Sequence, residues 1–254
     1  MGLIFDADAV SLYRSWTKSD QGRIVDRFVE ESVKGLLDPQ PGERVLDIGC
    51  GEGNHLLLFS KLGLDINGVD ASPYTIEQAR KRLGNRSTLK VATAEDLPFS
   101  DNEFDLAVLI NTLEFLDDPL AALREAGRVA KRGVFIGVLN SLSWFFLSQK
   151  LQGLFKKSLF SQARFFSLWE LKSYASEAFG DSNMTWNCSR IRPSLTRATP
   201  QDIDNFRKFG HIPIGLYLGA CVSLRYWVKT EQHPLKIGLK KAKQTLASGI
   251  SRNR

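Results

Sequence analysis

The chain holds only three cysteines and three histidines in 254 residues. Cys50, Cys188 and Cys221 have neither disulfide-like nor metal-like spacing, and an odd count of apolar-flanked thiols points to a reducing cytoplasm. His55, His211 and His233 are scattered, so no metal centre is expected. The start of the chain has no basic stretch followed by an apolar run, which predicts no signal peptide. A long hydrophobic run is missing as well. Residues 135–147 are apolar, but Gly137, Asn140, Ser141 and Ser143 interrupt them, and the stretch is too short to span a membrane. There is no internal repeat and no low-complexity segment.

Charge imbalance is absent from the body of the chain. The formal net charge is +6, yet residues 229–254 hold seven Lys/Arg against the single acid Glu231, so the remainder is neutral. A neutral body argues against a polyanion-binding surface and makes nucleic acid an unexpected partner. In the tail, Leu235, Leu239, Ala242, Leu246 and Ile250 recur at three- or four-residue spacing between lysines. That is the pattern of a basic amphipathic helix, which rests on an anionic membrane surface, docks on a partner or packs on its own domain. Gly238 and Gly249 weaken the helix, and the solvated or self-packed reading is preferred.

Apolar periodicity is plentiful. Residues 1–43 read as two helical segments, the second striped by Val25, Phe28, Val29, Val33, Leu36 and Leu37 and stopped by Asp38-Pro39-Gln40-Pro41-Gly42. From there strands (44–48, 65–69, 88–92, 104–110, 133–139) alternate with helices (54–62, 73–83, 119–131), which implies a parallel sheet covered on both faces. Residues 141–163 mix Phe, Leu and Trp with Ser, Gln and Lys, and read as an insertion over the site instead of core. Residues 170–178 read as a helix, and 185–192 and 216–227 as two closing antiparallel strands.

The most informative stretch is Val45-Leu46-Asp47-Ile48-Gly49-Cys50-Gly51-Glu52-Gly53, a buried strand entering a glycine turn that opens a helix. Such a loop brings backbone N–H groups close to a ligand. A dinucleotide fingerprint would need its third glycine at 54, where Asn54 stands, so a pyrophosphate is disfavoured. Asp70 follows the next strand about twenty residues on, where an acid accepts from ribose hydroxyls. Asp96 follows the third strand, placed near a base, and Asp47 lies close to a cationic end. A ligand with a cation, a ribose and an adenine but no phosphate fits these acids; S-adenosylmethionine has those groups.

Together with Gly68-Val69-Asp70-Ala71-Ser72, Ala94-Glu95-Asp96-Leu97-Pro98-Phe99 and Phe104-Asp105-Leu106-Ala107-Val108, the loop resembles class I S-adenosylmethionine-dependent methyltransferases. The nearest group is that of the ubiquinone/menaquinone-biosynthesis enzymes. The resemblance covers residues 40–140, extends more loosely through Arg164–Ser167 and Glu170-Leu171, and includes a lid-like Tyr13-x-x-Trp16 with Gly22. It implies a Rossmann-like α/β fold: a seven-stranded, mostly parallel sheet with helices on both faces and an antiparallel final strand. The expected organisation is an N-terminal helical lid (1–43), a methyltransferase domain (44–228, with the 141–163 insertion near the acceptor site) and a basic tail (229–254). The implied cofactor set is Asp47, Gly49, Gly51, Gly53, Asp70, Ala71, Glu95, Asp96, Leu97 and Asn111. Tyr13, Trp16 and Trp144 are candidates for the acceptor pocket.

Methyl transfer from a sulfonium is an in-line displacement whose thioether leaves unprotonated, so positioning matters more than acid–base groups. Accordingly no catalytic constellation stands out. Glu114 and His211 are the candidates, each set against a bland role: a solvent-facing helix residue for Glu114, a turn residue for His211. Members of the resembled family often carry His where Glu114 and Phe115 stand, so no histidine base carries over. His55 opens the helix after the loop, near the methionine end or pointing to solvent. The expected reaction is methyl transfer to a small, apolar or aromatic acceptor. The alternatives are a silent cofactor-binding module, an oxidoreductase (disfavoured by Asn54 and Asp47), and a nucleic-acid methyltransferase. The last is disfavoured because Asn111-Thr112-Leu113-Glu114 stands where an Asn-Pro-Pro-Tyr-like motif would be.

Overall fold

A computed structural model describes residues 2–143, 145–147, 160, 163–189 and 212–224. Trp144, His211 and the tail 229–254 lie outside the described residues. Two helices come first, α1 (Ala7–Thr17) and α2 (Asp20–Ser32). Each has a side-chain cap: Asp6 Oδ1 accepts from Ala9 N at 2.8 Å, and Ser19 Oγ accepts from Gly22 N at 3.2 Å. The α2 stripe buries Val25, Phe28 and Val29 and continues through a wide helical turn, Val33–Leu37, that ends where Asp38 turns left-handed (φ 47°).

Strands and helices then alternate: β1 (Arg44–Ile48), α3 (Asn54–Lys61), β2 (Asp65–Asp70), α4 (Pro73–Leu83), β3 (Ser87–Val91), β4 (Phe104–Ile110), α5 (Pro119–Val129) and β5 (Ala130–Leu139). The described chain closes with α6 (Leu168–Phe179), β6 (Asn183–Cys188) and β7 (Tyr217–Ser223). The sheet order is β3-β2-β1-β4-β5-β7-β6. All pairings through β5 are parallel, and β7 runs antiparallel to both β5 and β6. One face buries Phe28 and Val29 of α2 with Leu56 and Phe59 of α3, and Ile76 and Leu83 of α4. The other buries Leu123 and Ala126 of α5 with Leu168 and Leu171 of α6. Both faces are covered, which is why β4 and β5 are apolar at nearly every position. The strand order reverses direction between β1 and β4, and open α/β sheets bind ligands at the carboxyl ends beside such a point.

The expected helix over 119–131 stops at Val129, because Ala130 is already extended and pairs with Phe104. The expected 88–92 strand starts one residue earlier, and the closing strands are shorter within the described residues. The reading of 141–163 as lying outside the core is corrected at Phe145 and Phe160, which are both buried in the core cluster. No described helix is long and apolar enough to cross a membrane.

The start of α6 shows how local chemistry sets a boundary. Ser167 Oγ accepts from Glu170 N at 3.3 Å, and Glu170 Oε2 accepts from Ser167 N at 2.8 Å, a reciprocal cap. Ser167→Ala is expected to cost about 1 kcal/mol of stability, read by urea unfolding.

Candidate functional site

The turn after β1 is held rigidly from below. Gly49 N and Cys50 N both donate to Val69 O (2.8 and 2.9 Å), and Gly51 N donates to Asp70 Oδ2 at 2.9 Å. Gly49 has φ +76°, and a Cβ there would stand 2.5 Å from the Thr112 side chain. Gly51 (φ +52°) has nothing within 4 Å of that position, so its backbone faces open space. Gly53 caps α3, and a Cβ on it would strike Leu83 Cδ1 at 2.8 Å; it serves the packing of α3 on α4.

A cleft of about 900 Å³, part of it open to solvent, lies over these strand ends. Gly49, Gly51, Asp70, Ala71, Asn111 and Tyr13 line it, as do Cys50, Glu52 and His55. The other Asp70 oxygen, Oδ1, accepts from Ser72 N (2.9 Å) and Thr75 Oγ1 (2.8 Å), which fixes the carboxylate at the end of β2. Asn111, itself left-handed at φ 55°, donates from Nδ2 to Tyr13 Oη at 2.9 Å. Thr112 Oγ1 donates to Ile48 O at 2.9 Å, tying the end of β4 to that of β1.

The N-terminal segment roofs the cleft. Leu3, Ile4, Phe5 and Val10 line it together with Phe115 and Leu116. Leu3 N donates to Phe115 O at 3.0 Å, and Ser72 Oγ donates to Phe5 O at 2.6 Å. Phe5 meets Phe115 and Tyr13 edge-on, with centroids 5.0 and 5.9 Å apart. At the rim, the Arg14 guanidinium pairs with Glu52 and ties α1 to the glycine loop. None of Leu3, Ile4 or Phe5 carries a sequence signal, because their role rests on long-range docking alone. Thr75 and Thr112 were likewise unmarked.

Several expected residues stand elsewhere. Asp96 is exposed and Leu97 buried, its N–H donating to Glu125 Oε2 at 2.9 Å. Neither these two nor Glu95 lines the cleft; Ala92 and Ala94 do. Trp16 does not line it either, but its ring packs against Tyr13 (5.6 Å) and Phe160 (5.1 Å).

The electrostatics are unusual. Asp47 is 1% exposed, and neither carboxylate oxygen has a hydrogen-bond partner. Burial, then the neighbouring Asp70, push its pKa up to about 8. Asn111 Oδ1 and His55 Nε2 are also buried without partners. Burial lowers His55 to about 4, so the ring is neutral and offers a lone pair. Burial pushes the Cys50 thiol well up, which removes it as a nucleophile. Glu114 corrects the sequence expectation of a solvent-facing residue. It is 2% exposed, its Oε1 accepts from Leu139 N at 2.6 Å, and burial raises its pKa to about 8. Among the described residues no cluster of three His, Cys, Asp or Glu could hold a metal.

The family described as "Methyltransferase domain" matches residues 46–137, the segment that carries the glycine turn and β2 to β5. An uncharacterised protein of Methanocaldococcus jannaschii is 33% identical over 174 residues, 66% of this chain and 76% of that one. The chain belongs to the class I S-adenosylmethionine-dependent methyltransferases. A demethylmenaquinone methyltransferase of Corynebacterium kroppenstedtii is 35% identical over 43% of this chain and 46% of its own length. A solved S-adenosylmethionine-dependent methyltransferase of Thermotoga maritima superposes with a TM-score of 0.62 at 26% identity, covering 85% of this chain and 96% of that one. The chain spans about half the length of several curated relatives, 53% of an uncharacterised Mycobacterium tuberculosis protein among them. The methyltransferase cleft suits the family's cofactor on its own terms. Asn111 lines it with a buried acceptor that has no donor (Oδ1), and Asp47, two residues before Gly49 but not itself in the lining, holds two more; such atoms call for a cationic or N–H-bearing group, and Gly51 leaves room for it.

Proposed function

We propose that the protein binds S-adenosylmethionine in this cleft and transfers its methyl group to a small, apolar or aromatic acceptor. The observation that carries the reading is the pair of unpartnered Asp47 oxygens just before the glycine turn, a buried carboxyl that a bound cation would hold in its charged form. Asp70 would hold the ribose hydroxyls, with Ala71 beside it. Gly49, Gly51 and Asn111 would face the methionine end, and Gly53 supports the loop. Glu95, Asp96 and Leu97 follow Ala94, which lines the cleft, and would face the adenine from the loop after β3. When bound, the cofactor supplies a methyl carbon on a sulfonium, which leaves as a neutral thioether.

The chain's own task is then to hold the acceptor in line at roughly 3–3.5 Å from that carbon and to exclude water. Phe5, Tyr13 and Phe115 supply apolar walls, and α1 forms the roof. The odd count of cysteines supports a cytoplasmic setting. The test is a screen of phenols, quinone precursors and small amines, with detection of S-adenosylhomocysteine. Turnover of at least one class is expected. Cofactor binding with silence across all three would favour a non-enzymatic binding module.

A further inference from the structure

The loop after β3 carries residues 94–99, yet of these only Ala94 lines the cleft, with Ala92 beside it. What holds this loop comes from α5, through two residues that do not line the cleft. Glu125 and Arg128 stand three residues apart on that helix, so their side chains share a face. All five N–H donors of the Arg128 guanidinium are taken. Nε and Nη2 grip the two Glu125 oxygens at 2.7 Å each. Nη2 also donates to Leu97 O at 3.1 Å, and Nη1 donates to Phe99 O at 2.8 Å and to Asp101 Oδ1 at 2.9 Å.

Glu125 Oε2 accepts in turn from Leu97 N at 2.9 Å, so the pair takes both the N–H and the C=O of Leu97. Arg128 holds the Glu125 carboxyl below the usual carboxylate range, which keeps the pair ionised. Beyond Phe99, Asn102 N donates to Arg128 O at 2.9 Å. Lys90 Nζ donates to Pro98 O at 3.2 Å and stands 4.2 Å over the Phe99 ring, which meets Phe104 edge-on at 4.8 Å. At the near end of the loop, Ala92 N donates to Asp70 O at 3.1 Å. Only residues 93–96 lie between these two anchorages, and Ala94 is among them. A lysine at 128 could not repeat the grip, because its donors share one nitrogen and cannot span a carboxylate and two carbonyls at once.

Surface ion pairs add little to stability. A loop fixed before its ligand arrives, however, spares the ordering cost at the moment of binding. We propose, resting on the function inferred above, that Glu125 and Arg128 are positioning residues for the base of the cofactor. Neither touches the ligand. They act through the main chain of Leu97 and Phe99, which sets where Ala94 walls the cleft and from where Glu95 and Asp96 face the base edge. Ionised carboxylates only accept hydrogen bonds, so a loop held in this place favours a 6-amino base over a 6-oxo base, whose carbonyl would meet acceptor with acceptor. The pair thereby sets base selectivity from outside the cleft.

Arg128→Lys separates this role from a structural one, since it keeps a cation beside Glu125 while releasing the loop. Calorimetry compares S-adenosylhomocysteine with S-inosylhomocysteine, in which the 6-amino group of the base is replaced by a 6-oxo group. The wild type is expected to prefer the adenine ligand at least tenfold. In Arg128→Lys the adenine ligand is expected to bind at least tenfold more weakly, and the preference to shrink to about threefold or less. In unliganded protein, hydrogen exchange at the Leu97 amide is expected to become at least tenfold faster, with the Val108 amide of β4 unchanged. Glu125→Gln, a milder change, is expected to move all three readings in the same directions and carries the test if Arg128→Lys does not fold. The proposal is overturned if the wild type binds the two ligands equally, or if the variants keep its affinity and preference. It is equally overturned if they weaken both ligands by one common factor or speed both amides together, as a purely structural role would. Failure of the wild type to bind S-adenosylhomocysteine at all would overturn the proposed function instead.

Discussion

Asp70→Ala is expected to weaken S-adenosylmethionine binding at least tenfold, by calorimetric titration. Two effects combine. The substitution removes the acceptors proposed for the ribose hydroxyls, about 1.5–3 kcal/mol for each hydrogen bond to a charged group. It also releases three internal donors, Gly51 N, Ser72 N and Thr75 Oγ1, which that carboxylate now holds. The glycine turn would lose its tether to β2, so the site would have to be ordered at the moment of binding. Asp70→Asn keeps one acceptor oxygen and is expected to fall between the two. Unchanged affinity in Asp70→Ala would remove the ribose role.

Asp47→Asn is expected to move stability and binding in opposite directions. Asp47 titrates near 8 in the folded chain, against 3.8 for an ordinary aspartate. A folded value raised above the unfolded one means that the neutral form favours folding. That contribution is complete below the unfolded value, is lost as pH rises, and is gone above about 8. Asparagine is neutral throughout. The variant should therefore match the parent near pH 4 and exceed it progressively up to about pH 8, by on the order of 3 kcal/mol for a fully buried carboxylate. Urea unfolding at the two ends of this range measures the gap. Glu114 carries the same sign of linkage and is unaltered in both proteins, so it cancels in the comparison. Cofactor affinity is expected to drop at least tenfold at the higher pH, because the cation loses its counter-charge. A variant no more stable than the parent at about pH 8 would mean that Asp47 has a partner in solution.

The core of the fold was legible in the sequence, since strands buried on both faces are continuous apolar runs and a glycine turn after the first is hard to mistake. Ends of elements were less so: Ala130-Lys131-Arg132 has helical character, but the pairing of Ala130 with Phe104 pulls it into β5. Asp70, Gly49 and Gly51, which line the cleft, could be named because each sits at a strand end or in the turn, whereas Asp47 and Gly53, named with them, stand outside the lining. Glu114 was misplaced because its environment is made by Leu139, twenty-five residues away, and by Tyr217 on the last described strand. Nothing in the local Leu113-Glu114-Phe115 pattern distinguishes a buried carboxyl from a solvated one. Phe5 and Leu3 belong to the same class, as parts of a roof that only tertiary docking creates. Glu95 and Asp96 show the converse, residues marked by a motif whose side chains do not line the cleft.

The cofactor claim is tested most directly by calorimetric titration of the wild-type chain with S-adenosylmethionine and, separately, with NADH. Binding of the methyl donor in about the micromolar range is expected, with no heat from NADH. Binding of NADH without the methyl donor would contradict the assignment of the cleft.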